Sequence, residues 1–160
     1  MSIDWSFLDQ GYYVIGAEGE RTDTIRPELI SEAAQEFGKF FAEQGKPSST
    51  QLRAFYADAK TLESKIRGMT VSISPGAFKK HEYLVRMLKA KVAYIYGKET
   101  GKLVSRQFRD LITRCVDAIR NERDFEAFMK FFESMVGFYF GRTGELEEEK
   151  RKLRKQRRRR

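Results

Sequence analysis

One stretch decides the fold of this chain: Leu84-Val-Arg-Met-Leu-Lys-Ala-Lys-Val-Ala-Tyr-Ile-Tyr-Gly-Lys98. Lys91, Tyr94 and Lys98 recur at helical spacing and form one line along it. The stretch therefore predicts a helix that contributes to a core and presents a cationic and aromatic surface to an anionic ligand. The core side of this helix is predicted from apolar residues three or four positions apart, namely Leu84, Leu88, Val92 and Ile95.

Helical periodicity recurs on both sides of this stretch, so the sequence predicts an all-α fold, a compact bundle of about five helices. The serine and threonine residues after Pro47 are typical of a helix N-terminus. The fifth segment has a very wide Phe-rich apolar arc, which is typical of a central helix or of a surface that contacts another chain. The helices are expected to begin near Pro27, after Pro47, and near Ala77, Lys102 and Asp124, with the last ending near Phe140.

The chain divides into three parts. Residues 1–24 contain aromatic residues and three glycines but no sustained period, which predicts an irregular N-terminal arm that packs its aromatic side chains on the bundle. A strand at 12–15 would have no partner strand. Residues 25–144 are predicted to form the helical bundle domain, and residues 145–160, with nine basic and four acidic residues, a charged, solvated and mobile tail.

Bulk composition limits the cellular setting. The net charge is +8, and +5 of it lies in residues 145–160, so the bundle itself is only mildly basic. The single cysteine, Cys115, cannot form a disulfide within the chain, which fits a reducing cytosol. Neither a signal peptide nor an apolar stretch long enough to span a membrane is present. We therefore expect a cytoplasmic protein without a membrane partner.

The sequence offers little for catalysis. One histidine, His81, and one cysteine cannot supply a metal site rich in these residues, and His81 is interpreted as structural. The segment 97–102, Gly-Lys-Glu-Thr-Gly-Lys, lacks the spacing and the following Ser or Thr of a phosphate-binding loop. We therefore predict no enzyme activity, no catalytic residues, no metal and no cofactor.

Basic residues form lines on three consecutive helices. A single basic line is usually a solvated surface. Three lines on neighbouring helices favour a groove that contacts successive phosphates. The line on the second helix, without an intervening acid, is Arg53, Lys60 and Arg67, and the line on the fourth includes Arg106 and Arg109.

Three segments together resemble the small subunit of the type III-A CRISPR effector, the Csm complex. They are Gln51-Leu-Arg-Ala-Phe-Tyr56, Leu88-Lys-Ala-Lys-Val-Ala-Tyr-Ile-Tyr-Gly-Lys98 and Asp124-Phe-Glu-Ala-Phe-Met-Lys-Phe-Phe-Glu-Ser-Met-Val-Gly-Phe-Tyr139. The resemblance covers roughly residues 47 to 141. It implies an antiviral, non-catalytic helical subunit, stacked in several copies, with target RNA, guide RNA, the backbone and large subunits and other copies of itself as partners.

The resemblance also implies which residues contact RNA. Arg53 is the basic residue of the first segment, and the second segment supplies Lys89, Lys91, Tyr94 and Lys98. Lys98 stands where the family commonly has Arg, and the residue between the first two lysines is Ala where Pro is common. The full set of predicted RNA-binding residues is Arg53, Lys60, Arg67, Lys89, Lys91, Tyr94, Lys98, Arg106 and Arg109.

Two other functions remain open at the level of sequence. A stand-alone helical DNA-binding or regulatory protein could use the basic tail and the fourth helix, although no compact recognition helix is evident. A pure assembly adaptor would carry the same basic lines without using them.

Overall fold

A computed structural model describes residues 3–159, which form five α-helices and one β-hairpin. The predicted all-α bundle of about five helices is confirmed. The hairpin consists of β1 (Tyr13–Ile15) and β2 (Arg21–Ile25). A 3₁₀ turn, Trp5–Leu8, precedes the hairpin, and a π-helical turn, Leu29–Ala33, leads into the first α-helix. The α-helices are α1 (Ala34–Gln44), α2 (Ser49–Arg67), α3 (Pro75–Lys98), α4 (Arg106–Asp117) and α5 (Glu122–Arg158).

Serine side chains cap three of these helices. The Ser48 hydroxyl accepts a hydrogen bond (3.3 Å) from a backbone N–H of the first turn, which confirms the expected start of α2. Ser74 and Ser105 cap α3 and α4 in the same way. Because the cap of the fourth helix is Ser105, α4 begins at Arg106 and not near Lys102 as expected.

The N-terminal segment is not the irregular arm that the sequence predicts. β1 pairs with β2 in antiparallel order, so that Tyr13 lies opposite Ile25 and Ile15 lies opposite Arg21. A turn containing Gly19, at φ +82°, connects the strands. The prediction failed because β2 is mostly exposed and therefore lacks the apolar alternation that marks a strand in a sequence.

Aromatic side chains hold this segment against the bundle, as predicted. The rings of Trp5 and Phe7 pack against Phe37 of α1, with centroid distances of 5.6 and 4.9 Å. Tyr12 is buried, and its hydroxyl donates a hydrogen bond of 2.6 Å to the backbone oxygen of Cys115 in α4. The segment that contains Phe7 and Tyr12 is therefore part of the folded core.

Tyr12 makes the stability of the fold sensitive to alkaline pH. Burial is the main reason that its pKa lies well above the usual value. In the unfolded chain the phenol ionises near pH 10, whereas the folded state keeps it neutral. Its contribution to stability is therefore complete below about pH 10 and is lost as the pH rises toward the folded-state pKa. We expect a fall of about 1 kcal/mol in the free energy of unfolding near pH 10.5 from this group.

The Tyr12→Phe variant tests this effect. It should lose about 1 kcal/mol at neutral pH with the hydrogen bond, yet show a shallower alkaline decline in urea unfolding than the unmodified protein. The matched control is Tyr83→Phe, because Tyr83 is exposed. Parallel alkaline declines for the two variants would contradict the prediction.

Helix α5 is the centre of the bundle. The rings of Phe128 and Phe132 stack with a centroid distance of 5.8 Å, and Phe132 also meets Phe55 of α2 edge to face. Of the two interpretations of the wide apolar arc, burial by the other helices is the correct one for these residues. The side chains of α5 that are at most 1% exposed are Phe125, Ala127, Phe128, Phe131, Phe132 and Met135.

The fifth helix does not end near Phe140. It continues to Arg158, so residues 145–158 are helical, and all of them except the half-buried Leu146 are exposed as expected. Arg142 helps to explain the continuation, because its guanidinium binds the carboxylates of Glu145 (3.0 Å) and Glu149 (3.3 Å) along the helix. Gly141 and Gly144 follow Phe140 within the helix. They cost about 1 kcal/mol each, and the helix continues through them.

Within residues 3–159, no helix combines the length and the apolarity that a membrane crossing requires.

Candidate nucleic-acid interface

An open cationic surface lies on the second half of α3. We call Lys91, Tyr94 and Lys98 the α3 surface. Tyr94 is 68% exposed, and both lysines are exposed. Lys98 has no carboxylate within 4.0 Å in the described part of the chain, and the Lys91 Nζ lies 3.7 Å from an oxygen of Asp58 on α2. A solvent-exposed pair at this distance is worth about 0 to 1 kcal/mol, so Lys91 can exchange Asp58 for a phosphate at little cost.

Lys89 points to the other side of the same helix. Its ammonium group binds the carboxylate of Asp117 on α4. Beside it, the guanidinium of Arg86 donates hydrogen bonds of 2.7 Å to the backbone oxygens of Val116 and Ile119. These contacts stabilise the packing of α3 against α4. Lys89 therefore does not share a row with Lys91, which faces α2.

The basic line of α2 contains an acid that was not predicted. Glu63 is only 6% exposed and lies between two members of the line. Its carboxylate binds Lys60 at 2.9 Å and Arg67 at 3.6 Å. The hydrogen bond with Glu63 is the main reason that the pKa of Lys60 is raised. The expectation of an uninterrupted basic line on α2 is therefore wrong.

Arg53 lies on the side of α2 that faces α5. Its guanidinium carbon is 4.7 Å from the ring centroid of Phe140. Asp58, by contrast, lies on the side of α2 that meets Lys91 of α3. The lines on α2 and α3 therefore do not converge on one groove.

Arginines of α4 complete the predicted set. Arg109 packs its guanidinium over the ring of Tyr96 at 4.5 Å and binds Asp110 at 2.9 Å, so it belongs to the contact between α3 and α4. Arg106 is exposed, and its nearest carboxylate is Asp110 at 3.9 Å. Of the two, only Arg106 is open to a ligand.

Two exposed side chains beside the α3 surface were not predicted. Tyr83 is 60% exposed and Met87 is 48% exposed. Together with Ala90 and Tyr94 they are spaced by four, three and four residues, so they share one side of α3. That spacing could have revealed them in the sequence. They give the α3 surface an apolar and aromatic border.

Cys115 and His81 are the single cysteine and the single histidine of the chain. Cys115 is fully buried, and burial raises the pKa of its thiol. His81 is half-buried, and its Nδ1 atom has no hydrogen-bond partner in the described structure. Among residues 3–159, no three His, Cys, Asp or Glu side chains come together as a metal-binding group. An open groove of about 430 Å³ beside the hairpin is lined by Arg21 and Asp124, which bind each other.

Comparison with known proteins identifies one family. Residues 25–141, roughly three quarters of the chain, match the family model described as Csm2 Type III-A. Searches of curated proteins and of solved structures gave no match. The matched range begins before α1 and ends within α5, so it includes the whole α3 surface.

Proposed function

The chain belongs to the Csm2 Type III-A family, and from this membership we propose that it is a non-catalytic small subunit of an RNA-guided effector complex. In the proposed role, several copies stack in the complex and contact the backbones of target RNA and guide RNA. The other partners are the backbone and large subunits, and the setting is antiviral defence in the cytoplasm.

The openness of the α3 surface is the observation that carries the proposal. Lys98 has no close carboxylate among the described residues, and Lys91 has only a distant, exposed one. Lys60 and Lys89 are held more closely, by the buried Glu63 and by Asp117, whereas Arg106 is as open as Lys91, with Asp110 at 3.9 Å. A phosphate therefore displaces little at Lys91, Lys98 and Arg106, and the first two form one row with the exposed ring of Tyr94.

Residue chemistry favours contacts with the RNA backbone. A lysine contacts phosphate as a point charge and lacks the fork that an arginine uses for bidentate recognition. The exposed ring of Tyr94 can stack on any base, since every base has a flat face. A guide-programmed complex must accept any target sequence and leaves discrimination to base pairing. The α3 surface meets that requirement.

The double variant Lys91→Ala/Lys98→Ala tests the proposal. Each lost contact with single-stranded RNA should lower the slope of log K against log salt by about 0.7. We therefore expect a slope smaller by about 1.4 and an affinity roughly tenfold lower near physiological salt. Fluorescence anisotropy of the full chain with several unrelated single-stranded RNAs measures both quantities.

The matched control removes two cations from other sides of the bundle. Lys39 of α1 and Lys130 of α5 lie on different helices from the α3 surface. Lys39→Ala/Lys130→Ala makes the same change in net charge, and we expect it to leave affinity within about twofold. An equal loss in both variants, or a loss confined to one RNA sequence, contradicts backbone binding by the α3 surface.

Tyr83 and Met87 favour a second role for the same side of α3, a contact with another subunit. Exposed aromatic and Met side chains are enriched at protein interfaces. If they serve assembly, Tyr83→Ala/Met87→Ala lowers co-purification of the chain with the other effector subunits and leaves RNA affinity of the isolated chain unchanged. Should the lysine variant bind RNA normally while this variant fails to assemble, the adaptor role is correct.

A further inference from the structure

The last part of α5 extends beyond the bundle. We call residues 145–158 the C-terminal extension. They span about 20 Å at 1.5 Å per residue. Arg142 makes the last ion pair between α5 and another element, with Glu43 of α1 at 2.9 Å. After it, every described ion pair of α5 stays within the helix, and the side chains are exposed apart from Leu146, which is half-buried.

Acidic and basic residues are separated along this extension. Its glutamates lie at the base, where Glu145 and Glu149 bind Arg142 and Glu147 binds Lys150 (3.1 Å). The negative end of the helix dipole adds to the preference for cations at the far end. Seven cations at and directly after that end have no ion pair in the described structure: Arg151, Lys152, Arg154, Lys155, Arg157 and Arg158 within the extension, and Arg159 after it.

These seven cations surround most of the helix. At about 100° per residue they cover roughly two thirds of its circumference. The remaining side holds Leu153 and Gln156. A single strand or a flat anionic surface contacts only one side of a helix. A groove between two phosphate backbones contacts two sides and uses an arc of this width.

We propose that the C-terminal extension binds duplex DNA by entering the major groove and contacting phosphates on both sides. The major groove of B-form DNA is about 12 Å wide, which fits a helix of about 10 to 12 Å. The deep, narrow major groove of A-form RNA does not admit it. The extension lies outside the matched range 25–141, so this contact is separate from the α3 surface.

A second copy of the chain is the alternative binding partner for the C-terminal extension. Antiparallel pairing would place Leu146 of one copy against Leu153 of the other. Residues 145–159 carry eight basic and four acidic side chains, a net charge of +4 on each copy. Two such helices repel each other, whereas the phosphates of DNA attract both sides of the arc. The charge therefore favours DNA.

A five-residue variant tests the proposal. In this variant Gln replaces each of Arg151, Lys152, Arg154, Lys155 and Arg158. Glutamine is a good helix former, so the extension stays helical. The probes are duplex DNA, duplex RNA and single-stranded RNA of equal length and mixed sequence. We expect the five substitutions to lower the affinity for duplex DNA more than the affinity for either RNA. The variant should lose more than tenfold in DNA affinity, with a salt slope smaller by about 4.5.

The control changes the opposite charges. Glu145→Gln/Glu147→Gln/Glu148→Gln should raise affinity for duplex DNA severalfold. A loss of affinity for either RNA that equals or exceeds the loss for duplex DNA in the five-residue variant overturns the groove assignment, and unchanged DNA affinity of the same variant overturns the site. A concentration-dependent dimer in sedimentation that the five substitutions abolish, without DNA binding, assigns the extension to self-association. Because the variant keeps Lys91 and Lys98, its RNA affinity reports on the α3 surface separately.

Discussion

The substitution Gly38→Ala is expected to destabilise the fold by about 3 kcal/mol. Gly38 is where α1 approaches the backbone of α5. An added Cβ would lie 2.7 Å from the backbone oxygen of Met135 and 2.8 Å from the backbone nitrogen of Tyr139. Since these are backbone atoms, no side-chain rotation relieves the contact. In an open helix the same change stabilises by about 1 kcal/mol, so steric overlap must reverse the usual sign.

A glycine of α5 provides the matched control. Gly137 also lies inside a helix, but a Cβ there would meet nothing within 4 Å. We expect Gly137→Ala to stabilise by about 0.5 to 1 kcal/mol and Gly38→Ala to lower the melting temperature by roughly 10 °C. Thermal unfolding followed by circular dichroism measures both shifts. A stabilising Gly38→Ala would show that α1 and α5 pack less closely than described.

Phe132→Ala is expected to cost about 3 to 5 kcal/mol. The ring is fully buried, and it contacts Phe128 on the same helix and Phe55 and Tyr56 on α2. Truncation removes the transfer energy of the ring and leaves a cavity that three surrounding aromatic rings cannot fill without moving. The urea midpoint of unfolding should fall accordingly.

Tyr94→Ala is the control that distinguishes the loss of a buried aromatic ring from the loss of an exposed one. Tyr94 is exposed, so its truncation should change stability by no more than about 0.5 kcal/mol. It therefore also probes RNA binding without unfolding the protein. A loss below about 1 kcal/mol for Phe132→Ala would mean that the centre of the bundle is loosely packed.

The candidate site was only partly predictable, and Lys91 and Lys89 show why. Helical spacing places Lys91, Tyr94 and Lys98 on one line, and the structure confirms that they share an exposed side of α3. The sequence could not reveal that Lys89 binds Asp117 of α4, because that contact joins residues on two different helices. Whether the α3 surface binds RNA stays a prediction.

Glu63 gives a second example within a single helix. Glu63 lies three residues after Lys60 and four before Arg67, a spacing that was present in the sequence, although no acid was expected within that line. Only the structure shows that its carboxylate remains close enough to bind both cations from that buried position. The resulting ion pairs make most of the α2 line less available to a ligand than its positive charge suggests.

The sequence by itself determined the helices, because their signals are local. Apolar periodicity marks the core side of α3, Ser48 caps the start of α2, and family motifs locate the subunit type. The tertiary structure decided the pairing of β1 with β2 and the length of α5. It also decided which cations have close carboxylates. These features depend on contacts between residues that are far apart in the sequence. The strength of an ion pair depends on the distance between its charges, and the spacing of residues along the chain does not specify that distance.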